Sequence, residues 1–199
     1  MAQDFCEYIG LVESWPSSET AGEEFAHEGH LDWASSYFEA AESLHFEQEN
    51  RRRSRFFAGP LMQMTGLATE LTLKCLMRGN GASNSKLKKV GHCTYEAYLS
   101  AREAFDEVRF INAVMANSAH LTVPREIAER MKDSGEDPNI KWRVYFDHLR
   151  ILDTVYDRPY RNRYMTPGEV VLPEPEIILI GTKLLIAAME QRLDRLEAG

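Results

Sequence analysis

The sequence predicts an all-α protein, an up-and-down bundle of four to five main helices with one short extra helix. Three observations predict it. Apolar residues recur at spacings of three and four along most of the 199 residues. No segment shows the period-two alternation of a half-buried strand. The periodic segments are also separated by residues that start or stop helices. There is no internal repeat and no low-complexity tract.

Residues 1–30 mix Gly, Ser, Pro and Glu with short apolar clusters, including Phe5, Tyr8, Ile9 and Trp15. They predict a partly packed arm of loop or short helix. Asp32 is placed as N-cap of a helix to about Glu49, with Trp33, Tyr37, Ala40, Ala41 and Leu44 on its apolar face. A longer helix follows from about Arg55 to Arg78, with Pro60 either opening or kinking it. Its stripe Leu61, Met64, Leu67, Ala68, Leu71, Cys75 is joined by apolar residues on other faces, which marks the central helix. Glu70 and Lys74 form an i,i+4 pair in the favourable order, and Gly79-Asn80-Gly81 stops the helix ahead of a loop to Ser85. Tyr95 to Ala116 reads as one helix with Tyr98, Phe105, Val108, Ile111 and Met115 apolar. Pro124 opens a short helix to Lys132, and residues 133–138 are loop. Trp142 to Val155 is helical again, and a turn-rich link, 157–173, precedes a last helix over 174–197.

A chain of this length can bury a full core in one domain. We expect an acidic arm, 1–30, and a single helical bundle, 31–199. The longest apolar run, Ile177 to Met189, is too short to span a bilayer, so no membrane partner is expected. The start MAQDFCEYIG lacks the basic flank and apolar stretch of a secretory signal. Cys6, Cys75 and Cys93 form neither a disulfide framework nor a CxxC pair, which points to a reducing cytoplasm.

The net charge of −8 argues against nucleic acid, but that total hides a segregation. Residues 1–50 hold twelve acids and no Lys or Arg. Residues 51–92 hold nine basic residues and the single acid Glu70. Either the acidic segment folds back and neutralises the basic one, or the basic one forms a local electropositive patch. In the second case Arg51, Arg52, Arg53, Arg55, Lys86, Lys88, Lys89 and His92 are the nucleic-acid-binding candidates, with Phe56 and Phe57 beside the arginines. Two Glu-x-x-His spacings, Glu24/His27 and Glu42/His45, match half of a di-iron site, with no Glu pair to complete it. His27, Glu28, His30 and Asp32 read better as polar loop than as metal ligands. No metal and no cofactor is expected.

Three segments carry a family likeness: the apolar helix Leu67–Gly79, the Lys-rich stretch Lys86–Tyr98 with Gly91-His92 before a helix, and Ile151–Pro173 with its Tyr and Arg-Tyr turn. In this order they resemble the HEPN-like superfamily of small α-helical proteins, over roughly residues 31–197. The resemblance implies a bundle that forms a homodimer. It also implies a toxin–antitoxin or phage-defence setting, with RNA or a protein such as a nucleotidyltransferase-type antitoxin as partner. Some superfamily members are metal-independent ribonucleases and others are inactive binding modules. Active ones carry Arg-x(4–6)-His, whose His moves the 2′-OH proton while Arg stabilises phosphate charge.

Arg161-Asn162 offers the Arg-polar start, but Met165, Thr166, Pro167 and Gly168 stand where His should fall. The literal match is Arg143 to His148, with Val144 in the polar position. On one helix the two side chains would lie about 140° apart, so they would meet only across an interface or a groove. Three readings follow: a non-catalytic binding or regulatory module, an endoribonuclease using Arg143 and His148 across a dimer, and an RNA-binding protein using residues 51–92.

Overall fold

Helix α4 (Ala58–Gly79) is apolar on nearly every side, and it is accordingly buried on nearly every side. In this computed structural model, residues 3–21, 29–50, 58–132, 135, 137–157 and 171–199 are described. Pro60 sits in the first turn of α4, where its missing N–H costs nothing, so the helix opens there without a kink. At the other end Gly81 (φ +78°) and the N–H groups of Asn80, Gly81 and Ala82 close the last turn on Leu76, Arg78 and Met77 carbonyls.

Around α4 lie α3 (His30–Asn50), α6 (Thr94–Ala101), α10 (Tyr145–Tyr156) and α11 (Pro175–Ala198). Shorter helices accompany them among the described residues: α1 (Phe5–Ile9), α2 (Ser18–Ala21), α5 (Asn84–Val90), α7 (Glu107–Asn117), α8 (Arg125–Met131) and α9 (Pro138–Trp142). The all-α class is as predicted, with no strand among the described residues. No described helix is long and apolar enough to cross a membrane.

Residues 3–21 belong to the same core as the bundle. Ile9 and Trp15 are fully buried, and Cys6 and Leu11 nearly so. The Trp15 indole N–H donates to the Leu76 carbonyl (3.2 Å), and the ring lies flat on Gly79. A Cβ at Gly79 would overlap the indole, so the contact requires glycine. Gln191 of α11 holds the other end by accepting the Phe5 and Cys6 N–H groups.

The predicted helix over 95–116 is two helices. α6 ends in a 3-10 turn (Arg102–Ala104), Phe105 is extended, and Asp106 caps α7 by accepting the Val108 and Arg109 N–H groups. The N-terminal arm occupies the break: Leu11 bridges Phe105, Val12 N–H bonds the Ala104 carbonyl, and Asp106 N–H bonds Gly10. Restarting the helix shifts its phase, so Phe110, Ala113 and Val114 are buried while Val108 is exposed. The face predicted for α3 is corrected in part: Ala41 is buried as expected and Tyr37 and Leu44 pack against the core, but Trp33 does not. Leu31, Ala34, Phe38 and Ala41 face the core, and Trp33 is exposed beside Tyr37. Two alanines on the inner face let α3 approach α4, which the bulky Trp33 face would prevent. The helix begins at His30, so Asp32 lies in its first turn rather than capping it.

Gly66, midway along α4, receives the face of the Tyr156 ring. A methyl there would sit inside the ring's van der Waals envelope, with both elements fixed by the core. Gly66→Ala is expected to cost about 1–3 kcal/mol, read as a lowered urea midpoint at unchanged slope. Gly199→Ala, at the open chain end, should leave the midpoint in place.

Candidate functional site

Glu70 is the one acid in the basic segment, and it is 4% exposed in the middle of α4. A carboxylate cannot stay ionised there without partners. It has three. Lys74, one turn on, places Nζ 2.6 Å from Oε1 as the i,i+4 spacing predicted. The Tyr156 hydroxyl donates to Oε2 at 2.6 Å. Nδ1 of His92 lies 3.0 Å from Oε2 and 3.2 Å from Oε1. Burial alone would raise the Glu70 pKa; hydrogen bonds from Lys74, Tyr156 and His92 outweigh it and hold the carboxyl below its ordinary value.

The elements that bring these groups together are fixed by a second carboxylate. Asp153 of α10 accepts the N–H groups of Thr94 (2.8 Å) and Tyr95 (2.9 Å) and the Thr94 hydroxyl (2.7 Å). It supplies from another helix the cap that Cys93, at the N-cap position of α6, does not make. The Cys93 thiol donates to Asp153 as well, and burial pushes its pKa up to about 12. His92 is therefore set on Glu70 by α6, which Asp153 ties to α10, while Tyr156 reaches Glu70 from the end of α10. Sequence reasoning singled out His92 and the Glu70–Lys74 pair separately. Tyr156 and Asp153 carried no signal, because a helical Tyr and Asp are ordinary until the partner helix is known.

Ahead of His92, α5 is capped by Ser83 and presents Lys86, Lys88 and Lys89 outward, with Leu87 as its buried anchor. None of these lysines joins an ion pair with a described residue. Among the described ion pairs, two acids of the first fifty residues reach α11: Asp4 pairs with Arg195 (2.8 Å) and Glu42 with Lys183 (3.0 Å). Arg51, Arg52, Arg53 and Arg55 lie outside the described residues, as do Phe56, Phe57, Arg161 and Asn162.

Arg143 and His148 do not share a helix. Arg143 ends α9, Val144 is extended, and α10 starts at Tyr145. The Arg143 guanidinium donates to the carbonyls of Asn139 (2.8 Å) and Ser118 (3.4 Å). His148 is 3% exposed rather than on a solvated face. Its Nε2 hydrogen bonds the Trp142 carbonyl (2.5 Å), and its Nδ1 accepts the Glu174 N–H (3.1 Å). A cleft of about 470 Å³ opens beside it, lined by Met131, Trp142, Arg150 and Ile151, yet both ring nitrogens are turned to backbone. A carbonyl only accepts and an amide N–H only donates, so the neutral Nε2–H tautomer is the one that fits.

Of the metal-ligand spacings, Glu24, His27 and Glu28 lie outside the described residues. Glu42 bonds Lys183, and His45 faces Glu176 (3.4 Å), which also meets His120 (2.7 Å). No group of three or more potential ligands able to hold a metal gathers among the described residues. Compared with protein-family models, curated proteins and solved structures, the chain matches none.

Two predictions follow from these carboxylates and imidazoles. Glu70→Ala leaves the partly buried Lys74 and the buried Tyr156 hydroxyl without their acceptor and is expected to cost about 3–5 kcal/mol of unfolding free energy. Glu70→Gln, still an acceptor for Tyr156, should cost less. Burial lowers the His148 pKa below the ordinary 6.5, so the unfolded chain binds this proton first. The stability His148 contributes is intact above about pH 6.5 and falls as pH drops below it. Urea midpoints should decline from about pH 7.5 to 5.5, and His148→Gln should flatten the decline.

Proposed function

We propose that this chain is a non-catalytic binding module of the HEPN-like kind, acting as a dimer in a toxin–antitoxin or phage-defence setting. The observation that carries the reading is the use made of Arg143 and His148. Metal-independent RNA cleavage needs an imidazole with an accessible nitrogen and a guanidinium facing phosphate. Here both nitrogens of His148 hold backbone groups, and Arg143 closes two carbonyls. Their chemistry is spent on joining α9 and the approach to α11 onto α10.

A second reading concerns what the module binds. The exposed Lys86, Lys88 and Lys89, unpaired with the described acids, favour an RNA backbone as partner at the α5 face. Contacts of this kind position a nucleic acid without selecting its sequence.

Purified protein incubated with single-stranded RNA should produce no cleavage, and light scattering after size exclusion should give twice the chain mass. Cleavage that disappears in a folded His148→Gln variant would overturn the non-catalytic reading. Affinity for labelled RNA should fall steeply with added salt, and replacing the three lysines by alanine should reduce that salt slope by about three contacts' worth.

A further inference from the structure

Helix α3 carries two apolar stripes, and the core buries only one of them in full. Leu31, Ala34, Phe38 and Ala41 are buried. Beyond them α11 is held by Ser35 bonded to Glu190 (3.1 Å) and by Glu42 bonded to Lys183 (3.0 Å). The second stripe, Trp33, Tyr37, Ala40 and Leu44, repeats at the four-three-four spacing of a helix seam and falls within about 60° of arc. It lies on the flank away from α11, since at about 100° per residue Glu42 points about 180° from Trp33. Tyr37 and Leu44 rest one edge on the core, whereas Trp33 is 59% exposed with its ring 6.1 Å from that of Tyr37.

The outer rim of this stripe is acidic. Ser36 and Ser43 turn their hydroxyls back to the Asp32 and Glu39 carbonyls (both 2.9 Å). Past these serines, on the side away from the core, stand the Asp32 and Glu39 carboxylates. Both residues are exposed, and neither forms an ion pair with a described residue. Helix α3 contains no Lys or Arg to neutralise them.

We propose that this face of α3 is a docking site for a cationic amphipathic helix of a partner protein. Charge complementarity selects that occupant. Apolar side chains at the same four-three-four spacing cover Trp33, Tyr37 and Leu44, and Lys or Arg beside them meets Asp32 and Glu39. Such a cation also reaches the open face of the Trp33 indole, which attracts it. The same carboxylates repel a phosphate backbone, and a second copy laying its α3 on this one sets acid against acid. The stripe spans about 16 Å, three helical turns, which sets the length of partner helix that it seats. The α5 lysines play no part in this site.

The test is fluorescence anisotropy of the full chain with a labelled, helix-forming peptide that carries Leu at that spacing and Lys and Arg on its flanks. A scrambled peptide of the same composition keeps the charge and loses the stripe. The ordered peptide should bind about tenfold more tightly than the scrambled one. Trp33→Ala should lose about tenfold, the cost of truncating an aromatic anchor, while Val108→Ala, a comparably exposed apolar residue on α7, should lose nothing. Asp32→Asn combined with Glu39→Gln should weaken binding at low salt and flatten its salt dependence. These side chains are exposed, so urea midpoints should hardly move, which separates lost binding from lost fold. Equal binding of the two peptides, or wild-type affinity in Trp33→Ala, overturns the proposal. If sedimentation shows Trp33→Ala turning a dimer into monomers, the stripe belongs to a second copy; that too overturns the proposal and leaves the dimer reading intact. Binding of labelled RNA that Trp33→Ala abolishes overturns the choice of a protein partner.

Discussion

The buried Glu70 carboxylate is the constraint on which this bundle turns. An ionised group at the centre of a core helix is stable only while its partners stay in place, and breaking such a group is more costly than never having had it. Lys74 comes from the same helix and needs no folding beyond α4 itself. Tyr156 and His92 come from elsewhere, so satisfying Glu70 fixes where α10 ends and where α6 begins. Tyr156 also fills the notch above Gly66, so one side chain serves both the packing and the electrostatics of the junction. Apolar packing tolerates small shifts; a three-donor carboxylate does not.

The N-terminal segment shows the same economy with backbone groups. Phe105 and Asp106 interrupt a run of helix-forming residues and leave polar main-chain atoms without helical partners. Val12 N–H and the Gly10 carbonyl take up those atoms from the arm, while Ile9, Leu11 and Trp15 go into the core beside them. A boundary drawn at residue 30 on composition therefore does not separate the packing. Glycine, serine and glutamate between the apolar residues make the segment read as an arm, but a few large side chains are sufficient to bind it into the core.

Charge is distributed along similar lines. The acids of the first fifty residues that form described ion pairs with basic side chains reach α11, not the basic block that follows them in sequence. The acid inside that block, Glu70, is consumed internally by Lys74, Tyr156 and His92. What remains outward on α5 is positive, although the protein as a whole is acidic. Field at a surface depends on local groups, and the total of −8 says little about it.

The sequence by itself determined the helical class, the central place of α4, its stop at Gly79 and the Glu70–Lys74 pair, because these depend on spacings within one helix. Asp106, an N-cap residue in mid-run, was the available sign that 95–116 divides, outweighed by the apolar period across it. Only the tertiary structure decided which face of α3 is buried, since Trp33 and Phe38 satisfy similar periodicities and the choice depends on how closely α4 can approach. It likewise decided the fate of the histidines. Nothing in the residues around His148 and His92 says that one will be buried between two backbone groups and the other held at the surface by a carboxylate twenty-two positions away. An imidazole takes its role from its partners, and those partners come from other helices.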